Sequence, residues 1–280
     1  MRIAVKHVTT FIFSEPADHS IHHLRLVPRP ALGQRIMHWR IAAPARLADW
    51  SDGYGNQVRT FVLHQPHREV RVGIEGVFET NGENGGTYLS YPSDDSLPPA
   101  FWLRNHGLAR HDEAIGSYVA DLAGRDPGER ISVLHELMGR IHADVAYLPG
   151  VSEVATTALE TLERRSGVCQ DHAHLFIACC RRLGIPARYV SGYMRVLDEG
   201  MPADATHAWA EAHVPFLGWI GFDPTNRLCP NGNYLKLAVG LDYRDAGPVV
   251  GRRVGGGEAR LEVDVSVQVV VGPDAPAGGT

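Results

Sequence analysis

Three residues far apart in this 280-residue chain have the types that thiol-based acyl transfer needs. Cys169 stands directly before an apolar-periodic run, in Ser166-Gly167-Val168-Cys169-Gln170-Asp171-His172-Ala173-His174-Leu175. A helix starting there presents unpaired N–H groups and a partial positive charge to its first residues. Both favour the thiolate, the form of cysteine that attacks carbonyl carbon. A thiol nucleophile also needs a base, and a group that orients the base. Thr206-His207-Ala208-Trp209-Ala210-Glu211 offers the imidazole, and Gly218-Trp219-Ile220-Gly221-Phe222-Asp223-Pro224-Thr225-Asn226 offers a carboxylate.

Each of the three has a plainer explanation when taken alone. Most free cysteines are small buried hydrophobes, a strand histidine is commonly a half-buried polar residue, and aspartate before proline is an ordinary turn former. Cys179 and Cys180 fall inside the helical run and read as core, whereas Cys229 precedes Pro230 in a loop. The position of Cys169 at a helix start, together with a histidine and an aspartate on successive strands, is harder to explain away.

The elements that must position these side chains are legible from periodicity. Ala173, Phe176, Ile177, Cys180 and Leu183 repeat at helical spacing, and Gly184 with Pro186 ends the run. The period then changes to two over 187–194, 208–214 and 219–222, which predicts strands. In the second of these, led by His207, the residues His207, Trp209, Glu211 and His213 share one face, and Ala208, Ala210, Ala212 and Val214 the other. Pro215 to Gly218 is short enough for a hairpin, which sets His207 beside Asp223. Upstream, Thr157-Ala158-Leu159-Glu160 has the form of a capping box. A helix from Glu129 places Ile131, Leu134, Leu137, Met138, Ile141 and Val145 on one face.

Residues 1–80 read differently. Ile3 and Val5 alternate with charged neighbours, and the runs 36–41, 58–63 and 70–77 are separated by turn chemistry, most clearly Asp52-Gly53-Tyr54-Gly55-Asn56. Several short strands predict a sandwich-like module. The expected organisation is a β-rich N-terminal domain over 1–80, a linker over 81–100, a core over 101–271 and a disordered tail over 272–280. Helices followed by strands in the core make the class α+β. Leu261 to Val269 reads as one more strand, and Val254-Gly255-Gly256-Gly257-Glu258 as a mobile hairpin tip rather than a phosphate loop, since no Gly-Lys-Ser/Thr follows.

Gly-Val-Cys-Gln-Asp-x-Ala-His-Leu, then His-Ala-Trp-x-Glu, then Gly-Trp-x-Gly-Phe-Asp-Pro-Thr-Asn resembles the core of the bacterial transglutaminase-like superfamily, papain-like in its chemistry. Residues 1 to about 80, with Leu26-Val27-Pro28, Gly33-Gln34 and Asp52 to Asn56, resemble the β-rich region that often precedes that core. Two positions depart from the pattern: His172, where an aromatic is more usual, and Leu241, where arginine is. The resemblance implies Cys169 as nucleophile, His207 as general base and acid, and Asp223 as the orienting group. It also implies attack on a peptide or glutamine carboxamide through a thioester. The Cys169 N–H is the natural first oxyanion donor, and the second is not assigned.

Composition bounds the remaining classes. Apolar content of 44%, charged content of 21% and a net charge of −5 fit a globular protein, with no sign of a nucleic-acid or membrane surface. No apolar stretch approaches the ~20 residues needed to span a bilayer. Four cysteines, two of them adjacent, make a poor disulfide framework, so a cytoplasmic home is expected. Cys169, His172 and His174 offer zinc-binding types, but His174 points elsewhere on a helix and no further pair completes a tetrahedral set. No metal or cofactor is therefore expected. Asp171 reads as a substrate-binding group or as a helix cap. Tyr193, Trp209 and Trp219 read as cleft aromatics or as core. The expected partner is a peptide or protein substrate, with water rather than an amine as acceptor in the absence of an acidic calcium loop. The competing reading is a binding protein that keeps the fold without the chemistry.

Overall fold

Pro16 lies inside the first strand, where it cannot donate a ladder hydrogen bond, and the strand bends around it. The computed structural model describes residues 1–81, 97–195 and 206–270. The expected linker lies largely outside the described residues and the expected tail wholly so. In chain order the elements begin with β1 (Arg2–Leu24), β2 (Gln34–Ala42), β3 (Ala48–Ser51), β4 (Gln57–Leu63) and β5 (His67–Thr80). Next come α1 (Glu113–Tyr118), α2 (Arg130–Asp144), β6 (Ala146–Tyr147), α3 (Ala158–Arg164), β7 (Ser166–Gly167) and α4 (Cys169–Arg182). The chain closes with β8 (Ala187–Met194), β9 (Thr206–Val214), β10 (Gly218–Phe222), β11 (Tyr234–Gly240), α5 (Tyr243–Ala246), β12 (Val249–Gly255) and β13 (Ala259–Val269).

The first sheet is organised by β1, 23 residues long, rather than by the several short strands expected. Its two halves pair with β5 and β4 along one edge and with β13 and β12 along the other, all antiparallel. The register against β5 shifts between Ile12 and Ala17, on either side of Pro16, which curls the sheet around its own apolar face. Ile3, Val5, Phe13, Val70, Val72, Ile74 and Phe78 fill that face.

The C-terminal strands correct two expectations. Leu261 to Val269 does form a strand, but it pairs with β1 from Ile3↔Val269 to Phe13↔Ala259, so it belongs to the first sheet and not to the core. Nor is 254–258 a hairpin tip. β12 and β13 run in one direction along β1, and the glycines between them form a bulge opposite the β1 bend. Gly255, Gly256 and Gly257 all have positive φ, and Gly256 and Glu258 bond to the backbone of residues 14–16.

The second sheet has the order β10-β9-β8-β11, antiparallel throughout. Helix α4 packs on the face that carries Ala208, Ala210 and Ala212, whose small side chains let Ala173, Phe176, Ile177 and Cys180 approach closely. The opposite face holds Trp209, Trp219, Tyr234 and Trp102, so both predicted tryptophans are core residues. Glu211 lies between Arg188 and Lys236, 2.7 Å from each, and ties three strands together. Burial alone would raise its carboxyl, yet those two cations bring it down to about 2. In α2 the buried stripe is Val133, Leu134, Leu137, Met138 and Ile141, with Ile131 turned outward against expectation.

Candidate active site

Cys169 is the first residue of α4 and stays partly accessible, whereas Cys179 and Cys180 further along the helix are fully buried. The helix entry is fixed by Asp171, whose Oδ2 accepts from the Val168 N–H at 2.8 Å and from Ser152 Oγ at 2.5 Å. Of the two readings of Asp171, the cap is therefore the one the geometry supports. Burial raises its carboxyl above the ordinary range. The turn before α4 is built the same way. Thr157 and Glu160 exchange the predicted capping-box bonds, and Arg165 adopts a left-handed conformation that ends α3.

His207 and Asp223 come together as the hairpin required. β9 and β10 pair from Val214↔Gly218 to Ala210↔Phe222, so the next position places Asp223 opposite Trp209, one diagonal from His207. Asp223 Oδ2 accepts from His207 Nε2 at 2.7 Å. Nδ1 is then the ring nitrogen left for Cys169, which is hydrogen-bonded to the imidazole. Burial by itself would depress the imidazole. The charges of Asp223 and Cys169 outweigh it and lift His207 to about 10, so the ring is cationic at neutral pH.

Asp223 is fully buried and correspondingly well supplied with donors. Its Oδ2 also accepts from Asn226 Nδ2 and Tyr234 Oη, each at 2.7 Å, and Oδ1 accepts from the N–H groups of Thr225 at 3.0 Å and Asn226 at 3.3 Å. Burial would push this carboxyl up, but His207 and these donors hold it below the usual aspartate range. His172 reaches the same turn, with Nδ1 2.9 Å from Thr225 Oγ1. His142 Nδ1 donates to the carbonyls of Pro224 and Thr225 at 3.1 Å each. Burial lowers His172 to about 4, so it buttresses the turn as a neutral ring. His174 accepts from the Tyr243 N–H at 3.1 Å.

Cys169 and His207 open onto a cleft of about 390 Å³. One side is core: Gln170, Tyr189, Gly192, Thr206 and Tyr243. The other side comes from the first sheet: His7, Thr9 and Phe11 of β1 with Leu261 and Val263 of β13. Tyr234 and the cleft residues of the first sheet had gone unnoticed in the sequence. Tyr234 opens β11 with no motif of its own, but His7 and Thr9 left a signal. They are the two polar residues on a β1 face otherwise made of Ile3, Val5, Phe11 and Phe13.

Comparison with known proteins matches two family models to the chain. The model of the transglutaminase-like superfamily matches residues 118–224, and that of the bacterial transglutaminase-like N-terminal region matches residues 3–79. An uncharacterized protein of Mycobacterium tuberculosis is 33% identical over 296 residues, covering 96% of this chain and 92% of its own length. A protein-glutamine gamma-glutamyltransferase of Pseudomonas aeruginosa is 28% identical over 166 residues, 55% of this chain and 24% of that protein. Among solved structures, a candidate cysteine protease from Cytophaga hutchinsonii superposes with a TM-score of 0.73 at 23% identity, over 99% of this chain and 93% of that one. That likeness is one of fold. The described residues contain no helix long and apolar enough to cross a membrane. With both family models matched along the chain and a relative aligned over nearly its whole length, the chain belongs to the transglutaminase-like superfamily.

Proposed function

We propose that the chain is a cysteine-dependent amidase or peptidase in which Cys169, His207 and Asp223 act as a triad. The observation that carries this reading is the buried His207–Asp223 pair with its remaining ring nitrogen turned to a cysteine at a helix N-terminus. The Cys169 thiolate attacks an amide carbonyl, and the C–S bond forms as the carbonyl oxygen takes the negative charge. The Cys169 N–H, which no preceding turn of α4 occupies, donates to that oxygen; such a donor is worth about 3 kcal/mol of barrier. His207 gives its proton to the departing amine as the C–N bond breaks, leaving a thioester. It then takes a proton from water, which attacks the thioester and releases the acid.

Water is the preferred acceptor in this reading, with an amine as the alternative that the Pseudomonas relative's name suggests. Four free thiols, two of them adjacent and buried, fit a reducing compartment, and we assign the protein to the cytoplasm on that ground.

Selective alkylation tests the nucleophile. Iodoacetamide at pH 7 is expected to modify Cys169 at least ~100-fold faster than Cys179 or Cys180, because the last two are buried and burial raises their thiols well above the usual range. Equal rates at the three sites on folded protein, read by peptide mass spectrometry, would remove the assignment.

A further inference from the structure

The first sheet does more than stand beside the core, because its β1 and β13 residues form a wall of the cleft that holds Cys169 and His207. Thr9 pairs directly with Val263 and Phe11 with Leu261 across the β1–β13 ladder, so each pair points to the same side of the sheet. Leu261 is 55% exposed and Val263 44%, which is unusual for two aliphatic side chains next to a reactive thiol. The described residues lining the cleft include no Asp, Glu, Lys or Arg. His7, the titratable group on this wall, is pushed down to about 4 by burial, against an opposing pull from Asp264, and is neutral. The wall therefore has nothing to pair with a charged substrate side chain and much to cover an apolar one.

Its polar part has a direction. Tyr193 Oη lies 2.7 Å from His7 Nδ1, and His7 Nε2 lies 2.7 Å from Thr9 Oγ1. Tyr193 is fully buried, and His7 is its hydrogen-bond partner among the described residues. A buried phenol needs an acceptor for its proton, so Tyr193 donates to Nδ1. A neutral imidazole then carries its proton on Nε2, which donates to Thr9 Oγ1. The Thr9 hydroxyl proton is left without an acceptor among the described residues, in the wall of the cleft.

We propose that this wall selects the acyl donor of the same site: Phe11, Leu261 and Val263 cover an uncharged apolar side chain next to the scissile amide, and Thr9 donates to a substrate backbone carbonyl. The Tyr193–His7 relay positions that donor. The inference rests on Cys169 being the nucleophile, as proposed above, and names the substrate class as peptides with an aliphatic or aromatic residue on the acyl side.

The test uses acetyl-aminoacyl chloromethyl ketones carrying Leu, Phe, Asp or Lys, with iodoacetamide as a reference that has no side chain. Each chloromethyl ketone forms a C–S bond to Cys169 and releases chloride, as iodoacetamide does with release of iodide, so no turnover is required. Relative to iodoacetamide, the Leu and Phe probes are expected to label Cys169 at least ~10-fold faster than the Asp and Lys probes, the scale on which an apolar pocket discriminates. Leu261→Glu, at an exposed position that tolerates the change, should erase the preference over the Lys probe. Thr9→Val should weaken binding of the Leu probe about 5-fold, roughly one hydrogen bond, and Thr9→Ser should restore it. Equal labelling by the four probes, or an unchanged ranking in Leu261→Glu, overturns the wall. Unchanged Leu-probe binding in Thr9→Val overturns the donor. Iodoacetamide failing to mark Cys169 is the distinct result that removes the nucleophile, and this inference with it.

Discussion

Replacing Cys169 with alanine is expected to reduce amide turnover by at least ~10⁴-fold, the scale on which triad nucleophiles act, while leaving the melting temperature within a few degrees. The two halves of this expectation have separate causes. Cys169 sits at the first position of α4 and only partly in the core, and the helix entry is held by Asp171 and Ser152 rather than by the thiol. Alanine keeps the backbone and suits a helix start as well as cysteine does. Losing the thiol deletes the nucleophile of the proposed reaction. One stabilising term does change: the charge of Cys169 helps to lift His207, so the imidazole of the variant will lose its proton at lower pH than in the parent. Full turnover in the variant, or a collapse of its unfolding transition, would contradict the account from opposite sides.

Asp223→Asn should be the second severe change, with kcat/KM lower by ~10²–10⁴-fold. Asparagine fits the space but cannot serve every donor now aimed at the carboxylate, namely His207, Asn226, Tyr234 and two backbone N–H groups. More important is the lost charge. Burial pulls the His207 imidazole down, and Asp223 heads the influences that hold it at about 10. Without it the alkaline limb of the pH–rate profile should move to lower pH, a direction that a purely steric defect would not produce.

The same pair sets a pH dependence of stability. His207 is raised from 6.5 to about 10, so its contribution is complete below 6.5 and is lost as pH climbs towards 10. Asp223 is lowered from 3.8, so its contribution is complete above 3.8 and is lost as pH falls through its depressed folded value. Urea midpoints should therefore show this stabilisation in full between about pH 4 and 6.5. That plateau should flatten in Asp223→Asn.

How far the sequence carried depends on the range of each interaction. The start of α4 at Cys169, the Thr157–Glu160 cap and the β9–β10 hairpin are set within a few residues, and local chemistry specifies them. The alanine face of β9 was also legible, because a period of two says which residues share a side. Period does not say what lies opposite. Alternation in 261–269 revealed a strand but not its pairing with Ile3 to Phe13, some 250 residues earlier in the chain, and so placed it in the wrong sheet. The glycines at 255–257 looked like a turn because a bulge and a turn call on the same positive φ. His7 and Thr9 looked like ordinary strand residues until the cleft gave their face a purpose. Asp223 was identified by type and position, whereas Tyr234 reaches it through the tertiary fold and carried no local mark.

The claim on which the rest depends is that Cys169 carries the acyl group between donor and acceptor. Quenched mixtures of the protein with apolar peptide amides, with and without an added primary amine, can be read directly by intact and peptide mass spectrometry. The account predicts a peptidyl thioester on Cys169 alone, released mainly as the free acid even when the amine is present. An adduct on another residue, or hydrolysis of the same peptides by Cys169→Ala with no adduct at all, would contradict it.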